Sequence, residues 1–196
     1  FIDTFVDFYE PAVGKATVRL LEELDCHVVL ANLNCCGRPL ISAGQLAKVK
    51  EQGKKLIHSL KEFSDQKIPI IILEPSCLST LKDDYSDLMD DQENCREAIK
   101  YLFSLEEFLT SKKVWPKLLG KIGVGPRQLL FHGHCQQKAL FGTSKSLQVL
   151  GSLQNTKVEE IDSGCCGMAG SFGYEKDHYL LSEKVGEQRL FPAVRS

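Results

Sequence analysis

Apolar residues along this chain alternate between two patterns: short continuous runs, and longer stripes with a period near 3.6. Phe1–Phe5 (FIDTF) reads as a short buried strand. Pro11 stands where a helix can begin, and Val13, Thr17, Leu20, Leu21 and Leu24 follow at helical spacing. His27–Ala31 (HVVLA) is apolar and β-branched, as a strand would be. Ser42 is placed to cap a helix whose stripe runs through Leu46, Val49, Leu56, Ile57, Leu60 and Phe63. Ile68–Leu73 (IPIIIL) is the unbroken apolar run of a strand buried on both faces, and it leads into Glu74-Pro75-Ser76-Cys77. The acidic stretch Lys82–Glu93 reads as a solvated loop, with a helix from about Cys95 to Thr110 after it. Residues 111–128, rich in Lys, Gly and Pro, read as a connector. The pattern then restarts: a strand at Gln128–Gly133, a helix over Gln137–Leu153, a strand at Lys157–Asp162, and a last helix at about Tyr174–Arg189.

The restart is a repeat. Cys35-Cys36-Gly37 and Cys165-Cys166-Gly167 are 130 positions apart, and no gap is needed from Phe1/Phe131 to Gly37/Gly167. With 8 Cys and 15 Gly in 196 residues, random order gives on the order of 0.02 copies of Cys-Cys-Gly. Apolar pairs such as Leu20/Leu150 and Val28/Val158 coincide at the same offset. The expected fold is therefore α/β: a tandem duplication of a β-α-β-(Cys-Cys-Gly)-α unit, with parallel, Rossmann-like sheets and pseudo-two-fold symmetry. The expected domains are 1–118, the first repeat with its acidic loop and connector, and 119–196, the second repeat. The first copy continues to a third strand ending in Cys77, whose counterpart would fall beyond Ser196. A second repeat that stops before its last strand is the expectation, as is a start at Phe1 that cuts into a longer chain.

Ligands gather at the carboxyl ends of parallel strands, and Cys35, Cys36, Cys77, Cys135, Cys165 and Cys166 all follow predicted strands. Composition narrows the chemistry. A formal net charge of −2 gives no electrostatic footprint for nucleic acid, and no apolar run approaches the ~20 residues of a membrane span. Eight cysteines, without secretory features, favour metal binding or redox chemistry over a disulfide scaffold. Thiolates are soft ligands for an iron–sulfur cluster or zinc. Adjacent cysteines suit a cluster, which offers several iron atoms, better than a single tetrahedral ion. Gly37 and Gly167 would let backbone N–H groups approach sulfide or thiolate. Zinc is the rival, with His132, His134, Cys135 and Cys165 or Cys166 as the four ligands. A third option is thiol–disulfide cycling at Cys35/Cys36 or Cys165/Cys166. Cys26 and Cys95 have no counterpart at the offset and read as packing residues.

A strand, Cys-Cys-Gly and then Pro-Ser-Cys resembles the cysteine-rich CCG domain. The strongest matches are CCGRPLISAG, LEPSCLSTL, HGHCQQKAL and SGCCGMAGSFGYEKDHY. The chain is similar to the C-terminal part of FAD-linked D-lactate dehydrogenases and glycolate-oxidase-like enzymes. More distantly it is similar to the cysteine-rich subunits of heterodisulfide reductase and of anaerobic glycerol-3-phosphate dehydrogenase. The resemblance implies an iron–sulfur cluster, of 4Fe-4S type, with metal ligands among Cys35, Cys36, Cys77, Cys135, Cys165 and Cys166 and with Gly37, Gly167 and His134 beside it. It implies an electron-transfer role in oxidation of a 2-hydroxy acid. The FAD would sit on a separate flavin-binding domain, the electron acceptor would be a quinone or a redox protein, and the setting would be cytoplasmic or the inner face of the membrane. This sequence departs from the family at two points: Thr4 and Phe5 stand where a leading Cys is usual, and Cys77-Leu78-Ser79-Thr80 carries one Cys of a Cys-x-x-Cys. One cluster held mainly by the second repeat, or one shared between repeats, is the expectation that follows.

Overall fold

A computed structural model describes every residue of the chain except Asn32. It divides into two compact units, Phe1–Lys121 and Ile122–Ser196. Each is α/β, and each contains a two-stranded parallel sheet.

The first unit begins with α1 (Thr4–Phe8) and α2 (Pro11–Glu23), followed by α3 (Arg38–Ser42) and the long α4 (Leu46–Asp65). Strand β1 (Ile70–Ile72) leads into α5 (Pro75–Ser79), a π-helical turn at Thr80–Asp84, α6 (Tyr85–Leu88) and α7 (Gln92–Ile99). Strand β2 (Leu102–Ser104) pairs parallel to β1, Ile70 opposite Leu102 and Ile72 opposite Ser104. Helices α8 (Leu105–Leu109) and α9 (Trp115–Leu119) complete the unit. Its core is the stripe predicted for α4: Val49, Leu56 and Leu60 are fully enclosed, and the helix packs on α7. Burying each of these side chains contributes about 1.5–3 kcal/mol.

The second unit contains β3 (Gln128–Phe131), α10 (Cys135–Leu140), α11 (Ser144–Gly151), β4 (Lys157–Glu160), α12 (Tyr179–Gly186) and α13 (Leu190–Arg195). Strands β3 and β4 run parallel, with Gln128 opposite Lys157 and Phe131 opposite Glu160. Among the described residues, no helix is long and apolar enough to cross a membrane.

Several elements differ from the reading of the hydrophobic pattern. FIDTF is not a strand: the Asp3 carboxylate accepts the backbone N–H groups of Phe5 and Val6 at 2.9 and 3.0 Å and starts α1 instead. HVVLA runs without ladder partners, with Val29 and Leu30 exposed. A strand exists only by pairing, and Val28 and Leu30 instead line a largely apolar cavity of about 710 Å³. Ser42 ends α3 rather than capping α4, whose cap position is Gln45. The acidic stretch is helical, because Leu81, Tyr85 and Met89 recur every fourth residue and are buried beneath the charges. The helix expected over 95–110 is interrupted by β2, and Ser104 opens α8 through a capping box with Glu107. The helix expected over 137–153 is split at Gly142–Thr143 into α10 and α11, and the last helix, expected over about 174–189, shortens to α12, with α13 following it. Each sheet has two strands among the described residues, smaller than the Rossmann-like sheets expected.

Candidate functional site

In the first unit Cys36 and Cys77 are in contact, and Cys35 adjoins Cys36 in the sequence. Cys35 is exposed, whereas Cys36 is 1% and Cys77 8% exposed. Cys36 Sγ donates to Cys77 Sγ at 3.0 Å. Local structure explains the convergence. Glu74 accepts from the Ser76 N–H and hydroxyl at 3.1 and 2.6 Å, which caps α5 and sets Cys77 in its first turn. On the other side, the Tyr85 hydroxyl donates to the Cys36 carbonyl at 3.0 Å and pins the pair from beneath. Arg38, just after the triplet, reaches the Ser79 hydroxyl at 3.3 Å and pairs with Asp84.

Gly37 takes φ +82°, in the left-handed region, and that turn points its N–H at Cys35 Sγ, 3.5 Å away. The Cys36 side chain and burial push the Cys35 thiol far up. For Cys36, the Cys35 side chain pulls downward, but the Cys77 contact and burial outweigh it and the thiol is pushed up to about 12. Burial likewise pushes the Tyr85 phenol up.

The second unit positions its candidates through different contacts. His132 and His134 follow β3, and Cys135 opens α10. The His134 ring nitrogen Nδ1 accepts from the Gln136 N–H at 3.3 Å and so caps α10. His132 Nδ1 lies 2.5 Å from the Ser163 hydroxyl, and burial followed by Lys138 and His134 holds its pKa below the ordinary imidazole range. Lys138 donates to the carbonyls of Ser163 and Gly164 at 2.8 and 3.1 Å, which ties α10 to the loop carrying Cys165 and Cys166. Cys135 and Cys165 are exposed, and Cys166 is half-buried. Gly167 takes φ +93° and its N–H donates to Cys165 Sγ at 3.3 Å, the same turn as at Gly37. Unlike Gly37, it also lies against α12: a Cβ there would overlap the Ser182 carbonyl.

At Cys35 and Cys165 a solvent-facing sulfur accepts a backbone N–H, as a ligand sulfur would, although at Cys35 the Cys36 side chain and burial outweigh it and push the thiol up. Cys36 and Cys77 do not suit a shared ion as they stand. Two sulfurs on one tetrahedral metal, each at ~2.3 Å, lie about 3.8 Å apart, and these lie at 3.0 Å. Among the described residues, no set of three or more His, Cys, Asp or Glu side chains is arranged to hold a metal ion. Both histidines of the zinc alternative are engaged through Nδ1, with Ser163 and with the α10 cap. Cys26 is half-buried and donates to the Leu24 carbonyl at 3.8 Å, and Cys95 is enclosed in α7. Tyr85, Arg38, Asp84 and Lys138 went unnoticed in the sequence. Only Tyr85 carried a usable signal, its position four residues after Leu81 and four before Met89.

Comparison with known proteins bears on the same segments. The family model for the cysteine-rich domain, CCG, matches residues 4–82 and again 129–192. A subunit of the anaerobic glycerol-3-phosphate dehydrogenase of Escherichia coli is 28% identical over 193 residues, 95% of this chain and 47% of the relative. Lactate utilization protein A of Bacillus subtilis is 26% identical over 201 residues, covering 97% of this chain and 79% of the relative. Lactate utilization protein A 2 of Bacillus mycoides is 28% identical over 193 residues, covering 94% and 79%. The chain thus spans about half the length of the Escherichia coli relatives.

Proposed function

Because the chain belongs to the cysteine-rich CCG domain family, we propose that it is the iron–sulfur electron-transfer part of an oxidoreductase acting on a 2-hydroxy acid of the lactate or glycolate type. The observation that carries this reading is the turn shared by the two units. In each, a Cys-Cys-Gly places an exposed sulfur under the N–H of a left-handed glycine. The two matches of one family model support the reading of a tandem duplication.

The cluster is assigned to the second unit, with Cys135, Cys165 and Cys166 as ligands. These thiols are exposed or half-buried, whereas Cys36 and Cys77 of the first unit face each other. Cys35 keeps the same N–H···S turn as Cys165 and is the first-unit thiol that fits a ligand role. A bound cluster supplies one-electron transfer, at a potential set partly by hydrogen bonds to its sulfurs. The chain's own residues prepare for it: the Gly167 N–H donates to the Cys165 sulfur, and Lys138 anchors the loop and places a positive charge beside it. His134 fixes the start of α10 and hence the position of Cys135. A flavin domain, in the same or a partner chain, would deliver electrons, and a quinone or redox protein would take them up.

The test is iron and acid-labile sulfide per chain, with visible absorption, on anaerobically purified full-length protein. Wild type and Cys26→Ser should hold iron and sulfide in equal amounts, and Cys165→Ser and Cys166→Ser should lose both. Stoichiometric zinc in a colourless protein would overturn the reading.

A further inference from the structure

Residues 27–31 of the first unit combine unpaired backbone with exposed apolar side chains. The main chain of His27, Val28, Val29 and Leu30 has no hydrogen-bond partner among the described residues. These groups are obligatory donors and acceptors. Water serves them only while the segment stays open, and that leaves Val29 61% and Leu30 65% exposed. The apolar surface continues past the segment. Val6 and Pro11 line the same cavity as Val28 and Leu30, and Phe8 and Tyr9, between them in the sequence, are 75% and 72% exposed. A lone apolar side chain on a surface is ordinary, whereas a group of them beside an open strand edge is a template for pairing with another chain. The open backbone decides the kind of partner. A lipid or other small apolar molecule does not offer N–H and C=O groups at the alternating spacing of a strand; a second strand does. The charged residues at the cavity, Asp7, Lys15, Arg19 and Glu22, balance in sign and select neither an anion nor a cation.

We propose that this segment is a self-association edge: residues 27–31 pair antiparallel with the same residues of a second copy, across a two-fold axis at Val29. The sequence matches itself in this arrangement. Val28 lies opposite the second copy's Leu30, His27 opposite its Ala31, and Val29 meets its own equivalent, so apolar pairs face each other at the centre. Charge does not oppose the pairing. Asp25 precedes the segment, residues 32–34 after it carry no charge, and the antiparallel direction sends the two Asp25 carboxylates to opposite ends. Asp25 is also paired with Lys117 at 3.2 Å. The cavity behind residues 28–31 gives the segment room to settle into extended geometry without displacing the α4 core. A two-fold contact closes with two copies, so the product is a dimer and not a filament. The edge uses no cysteine and stands apart from the cluster reading.

The full-length protein is its own probe, purified anaerobically and followed by sedimentation velocity and by amide hydrogen exchange across a range of concentrations. The expected result is a monomer–dimer equilibrium in which exchange at residues 28–30 slows at least about tenfold as dimer replaces monomer. Val29→Pro removes an N–H at the axis, and Leu30→Lys puts a charge beside it in both copies; each should raise the dissociation constant at least about tenfold. Unchanged exchange across α4 shows that the first unit of a variant is still folded, and if α4 exchange rises in one variant, the other decides. A single-chain mass at the highest concentration overturns the proposal. A dimer that both variants leave intact overturns it as well. So does slow exchange at residues 28–30 in the dilute monomer, which means that the segment pairs within its own chain.

Discussion

The two Cys-Cys-Gly glycines offer a matched experiment, since their backbones are alike and their surroundings are not. Gly37 and Gly167 both lie in the left-handed region, at φ +82° and +93°. Alanine at either site carries a Cβ into a conformation that costs an L-residue about 1–2 kcal/mol. At Gly37 that is the whole effect: the nearest atom to a new Cβ is Val49 Cγ1 at 3.5 Å, an ordinary contact. At Gly167 the new Cβ would overlap the Ser182 carbonyl. That oxygen belongs to α12 and moves only if the helix moves, so an overpacking cost of about 1–3 kcal/mol is added. The expected losses are therefore about 1–2 kcal/mol for Gly37→Ala and about 2–5 kcal/mol for Gly167→Ala. Amide hydrogen exchange read by peptide reports each unit on its own. Gly37→Ala should raise exchange modestly around residues 35–50, and Gly167→Ala should raise it strongly across residues 163–186. Equal effects at the two sites, or a larger one at Gly37, would mean that the close approach of Gly167 to α12 does not govern the second unit.

Two further outcomes are expected. Tyr85→Phe removes a fully buried hydroxyl and leaves the Cys36 carbonyl without its donor, so urea unfolding should show a loss of about 1–3 kcal/mol; a loss below about 0.5 kcal/mol, the low end for a hydrogen bond, would show that this contact does not hold the pair. His132 is held below its ordinary pKa by burial, so below about pH 6.5 the unfolded chain binds a proton that the folded chain resists. Stability should then fall as pH drops through that window, and the urea midpoint between pH 7.5 and 5.5 should fall less steeply in His132→Gln; a steeper fall in the variant would reverse the sign of the argument.

The parts of this molecule legible in its sequence are those written in local spacing. The α4 stripe of Val49, Leu56 and Leu60 is enclosed where its period placed it. The apolar run at 68–73 contains β1, and the runs at 128–133 and 157–162 contain β3 and β4. The paired Cys-Cys-Gly triplets pointed to the family through chemistry that composition made improbable by chance, and they marked both left-handed turns. Capping outweighed periodicity: Asp3 starts a helix inside a run read as a strand, and Ser104 starts α8 inside a stretch read as one continuous helix.

Tertiary structure decided the rest, because pairing and enclosure depend on residues far apart in the chain. HVVLA has the composition of a strand, but a strand needs a neighbour to receive its N–H and C=O groups, and this segment has no ladder partner among the described residues and lines a cavity. The acidic segment after Lys82 looks solvated by composition, yet one face of it supplies Tyr85, which reaches across 49 positions to the Cys36 carbonyl. Cys36 and Cys77 are separated by 41 residues and meet at 3.0 Å only because α3, α5 and α6 close around them. Spacing in the sequence named these cysteines as reactive groups. Which of them face each other, and which face solvent, was set by burial and by the hydrogen bonds of Tyr85, Glu74 and Lys138, whose partners no local pattern encodes.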